Sequence, residues 1–197
     1  MRAAHQRIEE FTKSLPEGAL ISAKALLHLG SRAAVDQALS RMVRQGRLIR
    51  AARGVYLRPV EGRFGVRPPA PAKVVEAFAA LKGETIASSG AAAANALGLT
   101  TQVPVREVYL TSGPSRELRL GAQVVELQHA PPWQLALAER PAGAALRALA
   151  WAGPKQAGKT VRALKRRLPE SERRAMSTAS GRLPTWAAKH VSALALG

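Results

Sequence analysis

Residues 153–160 read GPKQAGKT, which matches the phosphate-binding loop pattern G-x-x-x-x-G-K-[ST] at every required position. In a working loop of this kind, backbone N–H groups surround the phosphates, the lysine (here Lys159) reaches the terminal phosphates, and the threonine (here Thr160) binds magnesium. The chemistry also requires a buried strand before the loop. The ten preceding residues, GAALRALAWA, favour a helix, and only 37 residues follow Thr160, too few for parallel βαβ layers. We therefore expect a break between two helices here and no nucleotide hydrolysis.

Metal and nuclease chemistry find little support in the sequence. The four histidines, at positions 5, 28, 129 and 190, show no metal-ligand spacing, and the chain has no cysteine. Glu117, Glu126 and Gln128 lie on neighbouring predicted strands in a pattern similar to a magnesium nuclease site, but the lysine of such a site is missing. Solvent-facing strand positions explain these residues better. We expect no enzyme, no metal and no cofactor, with a magnesium-dependent nuclease as the less favoured alternative.

Net charge is the strongest indication of a binding partner. The chain has 30 Lys and Arg against 13 Asp and Glu, a net charge of +17. The surplus is +8 in residues 1–69, +1 in residues 70–152 and +8 in residues 153–197. A codon bias toward arginine would spread this surplus along the chain. Two basic ends around a neutral middle instead favour contact with a polyanion, because neutralised phosphates release counterions.

The first 69 residues predict a winged helix-turn-helix domain. The predicted elements are a helix over residues 5–15, a short helix over residues 22–30 that Ser22 caps and Gly30 closes, a helix from Ser31 to Gly46, and strands at residues 48–49 and 55–57 joined by a turn at residues 51–54. In this order the third helix enters a DNA groove and the hairpin forms the wing.

One face of the third predicted helix has the side chains that a major groove accepts. At 100° per residue its apolar stripe centres near Leu39 and Met42, and the opposite face is small, polar and basic. Small residues allow close approach, an amide reads base edges, and guanidinium groups bind guanine or phosphate. With the arginines of the hairpin, the candidate DNA-binding residues are Ser31, Arg32, Ala33, Gln37, Ser40, Arg41, Arg44, Arg50 and Arg53. The alternative for this face is an ordinary solvated helix surface.

The remaining residues, 70–197, predict a second, α+β domain. A proline-rich hinge at residues 67–71 separates it from the first. The predicted elements are a helix over residues 72–83, a strand end, turn and alanine-rich helix within residues 85–99, strands at residues 105–111, 116–120 and 123–128 in a small antiparallel sheet, and helices from residue 133 onward, broken at Pro141, Gly153-Pro154, Pro169 and Leu183-Pro184.

The helical C-terminal part carries a second basic patch. Its residues are Lys155, Lys159, Arg162, Lys165 and Arg166. Four of these positions are spaced i, i+4, i+7 and i+11, which predicts one stripe along a helix. Aligned like charges are tolerated more readily when a nucleic acid or an acidic protein neutralises them, so an RNA- or protein-binding factor is the alternative function. A solvated helix also remains open.

Three long segments resemble the AbiEi-like antitoxins of type IV toxin–antitoxin systems. They are LGSRAAVDQALSRMVRQGRLIRAARGVYLRP, the segment of residues 96–153 that begins ALGLTTQVPVREVYLTSGPS, and LPTWAAKHVSAL near the C-terminus. The winged-helix positions that match are residues 30–31, 32–46 and 51–54. The resemblance implies an N-terminal winged helix that represses its own operon at an operator with an inverted repeat, and a C-terminal antitoxin domain. It also implies a nucleotidyltransferase-like toxin as a genetic partner that need not be bound, and it offers no catalytic residues.

We also expect the protein to act in the cytoplasm. No run of about eighteen apolar residues is present, and the N-terminus, MRAAHQRIEEFTK, lacks the apolar block of a secretory signal. The sequence therefore predicts a cytoplasmic DNA-binding repressor with no membrane partner.

Overall fold

The structure, a computed structural model, describes residues 4–63 and 65–195 and has an α+β fold of helices and small antiparallel sheets. It divides into two compact units, one formed by Met1–Gly83 with Glu117–Glu126 and the other by Glu84–Arg116 with Leu127–Gly197. The domain boundary predicted between residues 69 and 70 stays a prediction. The compact units place the helix that follows it with the N-terminal part of the chain.

The first unit combines helices with short strands. In chain order they are α1 (Ala4–Ser14), β1 (Leu20–Ser22), a 3₁₀ turn (Ala23–Leu26), α2 (Arg32–Arg44), β2 (Ile49–Ala52), β3 (Val55–Leu57), β4 (Val60–Gly62), β5 (Gly65–Arg67) and α3 (Pro71–Lys82). The buried core joins α1, β1, the 3₁₀ turn, α2 and β3 through Ile8, Ile21, Leu26, Val35, Leu39, Met42 and Tyr56.

Helix α2 forms as the sequence predicts. The hydroxyl of Ser31 accepts a hydrogen bond from the N–H of Ala34 at 3.3 Å, which satisfies one free donor of the first turn. Gly46 follows the helix with φ +70°, a left-handed conformation that glycine adopts without strain. The predicted apolar stripe is confirmed, because Leu39 is fully buried and Met42 is 6 % exposed.

The predicted second helix is wrong in length and type. Ser22 is the last residue of β1 and makes no side-chain cap, and only Ala23–Leu26 form a single 3₁₀ turn. Strand β1 takes only Ser22 of the predicted helix, and residues 27–30 form turns and bends after the 3₁₀ turn. The segment that remains before Ser31 holds one tight turn, and Leu29 N–H bonds back to the carbonyl of Leu26 at 2.9 Å.

A three-stranded antiparallel sheet has the order β1-β3-β2. Strand β1 pairs Leu20 with Leu57 and Ser22 with Val55. The predicted β2–β3 hairpin is present, but the predicted bounds of its first strand (48–49) and turn (51–54) are wrong. The strand continues through Ala52, and the turn is Arg53-Gly54, with Gly54 at φ +70°. Neither β1 nor the separate β4–β5 hairpin was expected from the sequence.

The rest of the chain begins with a strand and ends in a helical bundle. The elements are β6 (Ile86–Ser88), α4 (Gly90–Ala96), β7 (Glu107–Thr111), β8 (Arg116–Leu120), β9 (Gln123–His129), α5 (Pro132–Leu135), α6 (Pro141–Ala152), α7 (Ala157–Arg167), α8 (Glu170–Thr178) and α9 (Thr185–Val191), with 3₁₀ turns at Pro154–Gln156, Ala179–Arg182 and Ser192–Ala195. The four-stranded sheet has the order β6-β7-β9-β8. The predicted antiparallel strands and the proline-broken helices are confirmed.

The phosphate-loop sequence lies at a junction between helices. Helix α6 runs up to Ala152, Gly153 has φ +74°, and Pro154–Gln156 form a 3₁₀ turn before α7 begins. Lys159 and Thr160 are inside α7. The expected helix before the motif is therefore present where a phosphate loop would need a strand.

Within residues 4–63 and 65–195, every helix is too short or too polar to cross a lipid bilayer.

Candidate nucleic-acid interface

The outer face of α2 carries the predicted groove-facing side chains. Ala33, Gln37, Ser40, Arg41 and Arg44 are all exposed, on the side of the helix opposite its buried stripe. None of these five residues is acidic. An α-helix with one fully packed side and one free polar side can lie in a major groove without unfolding its own core.

The first turn of α2 is less free than the rest of the face. Arg32 Nε donates to Asp36 Oδ2 at 2.8 Å, an i,i+4 ion pair whose side chains are 58 % and 47 % exposed. Exposed pairs of this kind are weak and exchange readily for other partners. Ser31 uses its hydroxyl to cap the helix, which gives it a structural role whether or not it also meets a phosphate.

The β2–β3 hairpin presents the two remaining candidates. Arg50 is exposed and lies opposite the buried Tyr56 in the strand register, whereas its neighbour Ala51 is buried. Arg53 is exposed in the turn beside Gly54. Arg50 therefore shares a sheet face with Tyr56 and reaches solvent from the edge strand β2.

A charge cluster on α1 holds another arginine near the end of α2. Glu9 accepts hydrogen bonds from Arg47 and, at 3.0 Å, from Lys13. The hydrogen bond from Lys13, with the charge of Arg47, keeps the pKa of Glu9 below its usual value, although partial burial acts in the opposite direction. Arg47, which was not among the DNA candidates, is thereby tied to α1.

The β4–β5 hairpin adds basic residues that the sequence reading missed. Arg63 and Arg67 are both exposed there. The available signal was the pair Gly62 and Gly65, separated by two residues and flanked by short strand-like segments, which is typical of a tight hairpin.

The C-terminal basic patch is exposed, with one correction to its arrangement. Lys155, Lys159, Arg162, Lys165 and Arg166 all face solvent. Lys155 lies in the 3₁₀ turn before α7, so the predicted single stripe of four residues is wrong and three of them share the helix. The break follows from Pro154 and from the left-handed Gly153, which prevent α7 from starting earlier. The opposite side of α7 is buried through Ala157, Val161 and Leu164.

The remaining chemical candidates have local partners. His28 Nδ1 lies 2.8 Å from the carbonyl of Ala25, and His129 Nδ1 lies 2.9 Å from that of Gly113. Glu117 lies 3.6 Å from Arg119. Across the part of the chain that the structure describes, no three His, Cys, Asp or Glu side chains are placed to hold a metal ion.

Comparison with known proteins places the chain in a family. The fold is similar to the crystal structure of the RV2827C protein from Mycobacterium tuberculosis, with a TM-score of 0.51 and 16 % identity over 99 % of this chain and 77 % of that one. No curated protein matches. Residues 7–172 match the family of unknown function DUF6088. The match spans most of the chain, which therefore belongs to the DUF6088 family.

Proposed function

We propose that the protein is a DNA-binding transcriptional repressor whose N-terminal unit is a winged helix-turn-helix. Helix α2 would lie in the major groove of an operator and the β2–β3 hairpin would act as the wing. The observation that carries the proposal is the exposure of all nine predicted DNA-binding residues on α2, its cap and the adjoining hairpin.

The order of elements supports this assignment. Helix α1, the 3₁₀ turn and α2 share one core with the strands that lead into the hairpin, so the helix and the hairpin are fixed to the same small body. In a winged helix such a body fixes which groove the helix enters and where the hairpin meets the phosphates.

We further propose that the protein acts as the antitoxin of a type IV toxin–antitoxin system and represses its own operon in the cytoplasm. The resemblance of residues 29–59, 96–153 and 183–194 to AbiEi-like antitoxins supports this part. The expected genetic partner is a nucleotidyltransferase-like toxin, and the expected operator contains an inverted repeat.

The test is a footprint and an affinity measurement on the promoter region of the protein's own gene. We expect Q37A to weaken binding and to relax base preference at one position of the site, because an amide reads base edges. We expect R41A and R53A to weaken binding by about 1–3 kcal/mol each. The control is R119A, which removes an exposed arginine from β8 in the same unit.

One set of results would exclude α2 from the proposed DNA interface. If Q37A, R41A, R53A and R119A all give the wild-type footprint and affinity, the proposed DNA-binding face is incorrect. Loss of binding in R119A alone would move the interface to the β8–β9 hairpin.

A second candidate function is RNA or acidic-protein binding through α7. The observation that favours it is the row of exposed Lys159, Arg162 and Arg166 opposite the buried side of that helix. The full-length triple variant K159A/R162A/R166A would then lose binding to structured RNA and keep its affinity for the operator duplex.

A further inference from the structure

A cavity of about 480 Å³ lies within the second compact unit. Its lining includes Ser89 and Gly90 at the start of α4, Arg106 and Gln134 from connecting segments, and Arg147 and Trp151 on α6. The volume is in the range that holds a small organic molecule.

Arg147 is the unusual residue of this cavity. It is only 3 % exposed, although arginine is rarely buried without a partner. Its Nη2 lies 3.5 Å from Ser88 Oγ and 3.4 Å from the carbonyl oxygen of Ala138, both at the long limit for a hydrogen bond. Among the described residues, its Nε and Nη1 have no hydrogen-bond partner at all.

No carboxylate within residues 4–63 and 65–195 forms an ion pair with the Arg147 guanidinium. Burial lowers the pKa of the guanidinium, with an opposing influence from Glu139. Glu139 is exposed, and it is not within ion-pair distance of Arg147 in the described part of the chain. Since arginine stays protonated in proteins, a buried guanidinium needs a counter-charge from some other source.

Two other arginines of the same unit pair with carboxylates. Arg116 Nη2 lies 2.8 Å from Glu84 Oε1, and Arg140 Nη2 lies 2.7 Å from Glu172 Oε1. Arg147 is more deeply buried than either and has neither arrangement. An anion from outside the chain would give Arg147 the counter-charge that these two arginines obtain from Glu84 and Glu172.

Two further features make the cavity suitable for a ligand. The indole of Trp151 is 48 % exposed, so an apolar and planar surface is open to solvent beside the arginine. A Cβ at Gly90 would lie 2.6 Å from the carbonyl oxygen of Arg147 and 2.7 Å from Cβ of Trp151, so glycine allows α4 to pack tightly against α6 and fixes this wall.

We propose that this cavity binds a small organic anion whose carboxylate or phosphate pairs with the Arg147 guanidinium and whose planar body lies against Trp151. Arg106 and Gln134 would add positive charge and an amide group along the wall. This site lies in a different unit from the proposed DNA-binding face, and the two proposals can fail separately.

The test uses the full-length protein and three probes: inorganic phosphate, adenosine 5′-monophosphate and indole-3-carboxylate. Calorimetry measures affinity, and ¹H–¹⁵N correlation spectra of the arginine Nε–H groups report directly on Arg147. We expect one of the two organic anions to bind with a dissociation constant below about 1 mM and to shift one buried arginine resonance. The preferred probe distinguishes a phosphate ligand from a carboxylate ligand, and inorganic phosphate should bind more weakly than either.

Two variants and a control complete the design. R147M removes the charge, and A150L fills the cavity from α6 while leaving the guanidinium in place; each should weaken binding at least tenfold. A96L, an exposed change on α4 outside the cavity lining, should bind as wild type. We also expect R147M to keep or raise the melting temperature of the free protein, because an unpaired buried charge is removed.

Specific results would overturn the proposal. Binding of neither organic anion below about 1 mM, or binding that survives in A150L, would do so. An R147M protein that fails to fold would leave A150L and the arginine spectrum as the deciding measurements.

Discussion

At the level of single residues, Asp36 is the acidic neighbour of an otherwise basic surface. It lies one helical turn after Arg32 on α2 and holds that side chain in an ion pair at 2.8 Å. A carboxylate in this place repels the phosphates of an approaching duplex and competes with them for Arg32. Its charge therefore opposes the DNA binding that we propose.

The substitution D36N should strengthen binding to duplex DNA by about two- to fivefold, because exposed ion pairs are worth only about 0.2–1 kcal/mol. Fluorescence anisotropy on operator and random duplexes would measure the change. The control is E76Q, which removes an exposed carboxylate from α3 and leaves Arg32 paired. Equal gains in both variants would indicate a general charge effect and would contradict a contact by Arg32.

Glu172 has a different role, at the start of a buried helix. From α8 it accepts a hydrogen bond from the N–H of Ala142 at 2.9 Å and another from Arg140 at 2.7 Å. Helix α6 has no side-chain cap of its own, so this carboxylate satisfies its first turn from a distance in sequence of 30 residues. The hydrogen bonds from Arg140 and from the Ala142 backbone lower the pKa of Glu172.

E172Q should lower the melting temperature by a few degrees at neutral pH. A carboxylate with a lowered folded-state pKa stabilises the protein above its unfolded pKa of about 4.3, and this stability is lost as the pH falls through the folded pKa. The difference between wild type and E172Q should therefore be constant from pH 6 to 8 and shrink in acid, as followed by circular dichroism. E170Q, on the exposed side of the same helix, should melt close to wild type; a pH-independent deficit in E172Q would contradict the mechanism.

The residue that the sequence could not reveal is Arg147. Within GAALRALAWA it reads as one polar position on an alanine–leucine helix, and a surface arginine is the ordinary expectation. Its burial depends on α4 and on the segment after α5, which reach it from distant parts of the sequence. The exposed side of α2 was accessible to sequence reasoning because helical spacing alone separates the two sides of that helix.

At the level of elements, the backbone of the preceding turn packs so closely against α6 that it leaves no room for a side chain at Gly143. A Cβ at Gly143 would overlap with the carbonyl oxygen of Leu137, which itself has φ +55°, a conformation that side-chain-bearing residues rarely adopt. Because Gly143 has no side chain, the turn before α6 can pack directly against the helix. Gly158, in α7, meets only ordinary contacts, the nearest being His190 Cε1 at 3.5 Å.

The two glycines predict opposite results. G143A should destabilise the protein by about 3 kcal/mol, because backbone atoms must move to admit the methyl group. G158A should be neutral or stabilise it by up to roughly 1 kcal/mol through helix propensity. Urea unfolding monitored by circular dichroism gives both values, and a loss in G158A as large as that in G143A would contradict the packing described.

Helices were more predictable than strands for a physical reason. The cap at Ser31, the apolar spacing of α2 and the glycine after it are all local signals within sixteen residues, numbered 31–46. Strand β1 has three residues, and its partner β3 lies about 35 residues further on. Nothing local to Leu20–Ser22 specifies that pairing, so the neighbouring helix was predicted too long.

At the level of the whole molecule, the net charge of +17 governs any encounter with nucleic acid. If Arg32, Arg41, Arg44, Arg50 and Arg53 each neutralise one phosphate, the logarithm of the operator affinity should fall with the logarithm of salt concentration at a slope of about −4.5. A series of binding isotherms between 50 and 300 mM salt measures it. A slope near zero would contradict a phosphate interface. If the wild-type slope is steeper than −4.5 and the K159A/R162A variant restores a slope of about −4.5, the additional phosphate contacts belong to α7.

The pairing of β1 with β3 also has a consequence for synthesis on the ribosome. Strand β1 leaves the exit tunnel before its partner, which is translated about 35 residues later, a delay of about 2–7 s at roughly 5–20 residues per second. For that interval the apolar side chains of Leu20 and Ile21 have no sheet to join, and nascent-chain chaperones have access to them. The translation rate of the codons between β1 and β3 thus sets how long β1 stays unpaired in each round of synthesis.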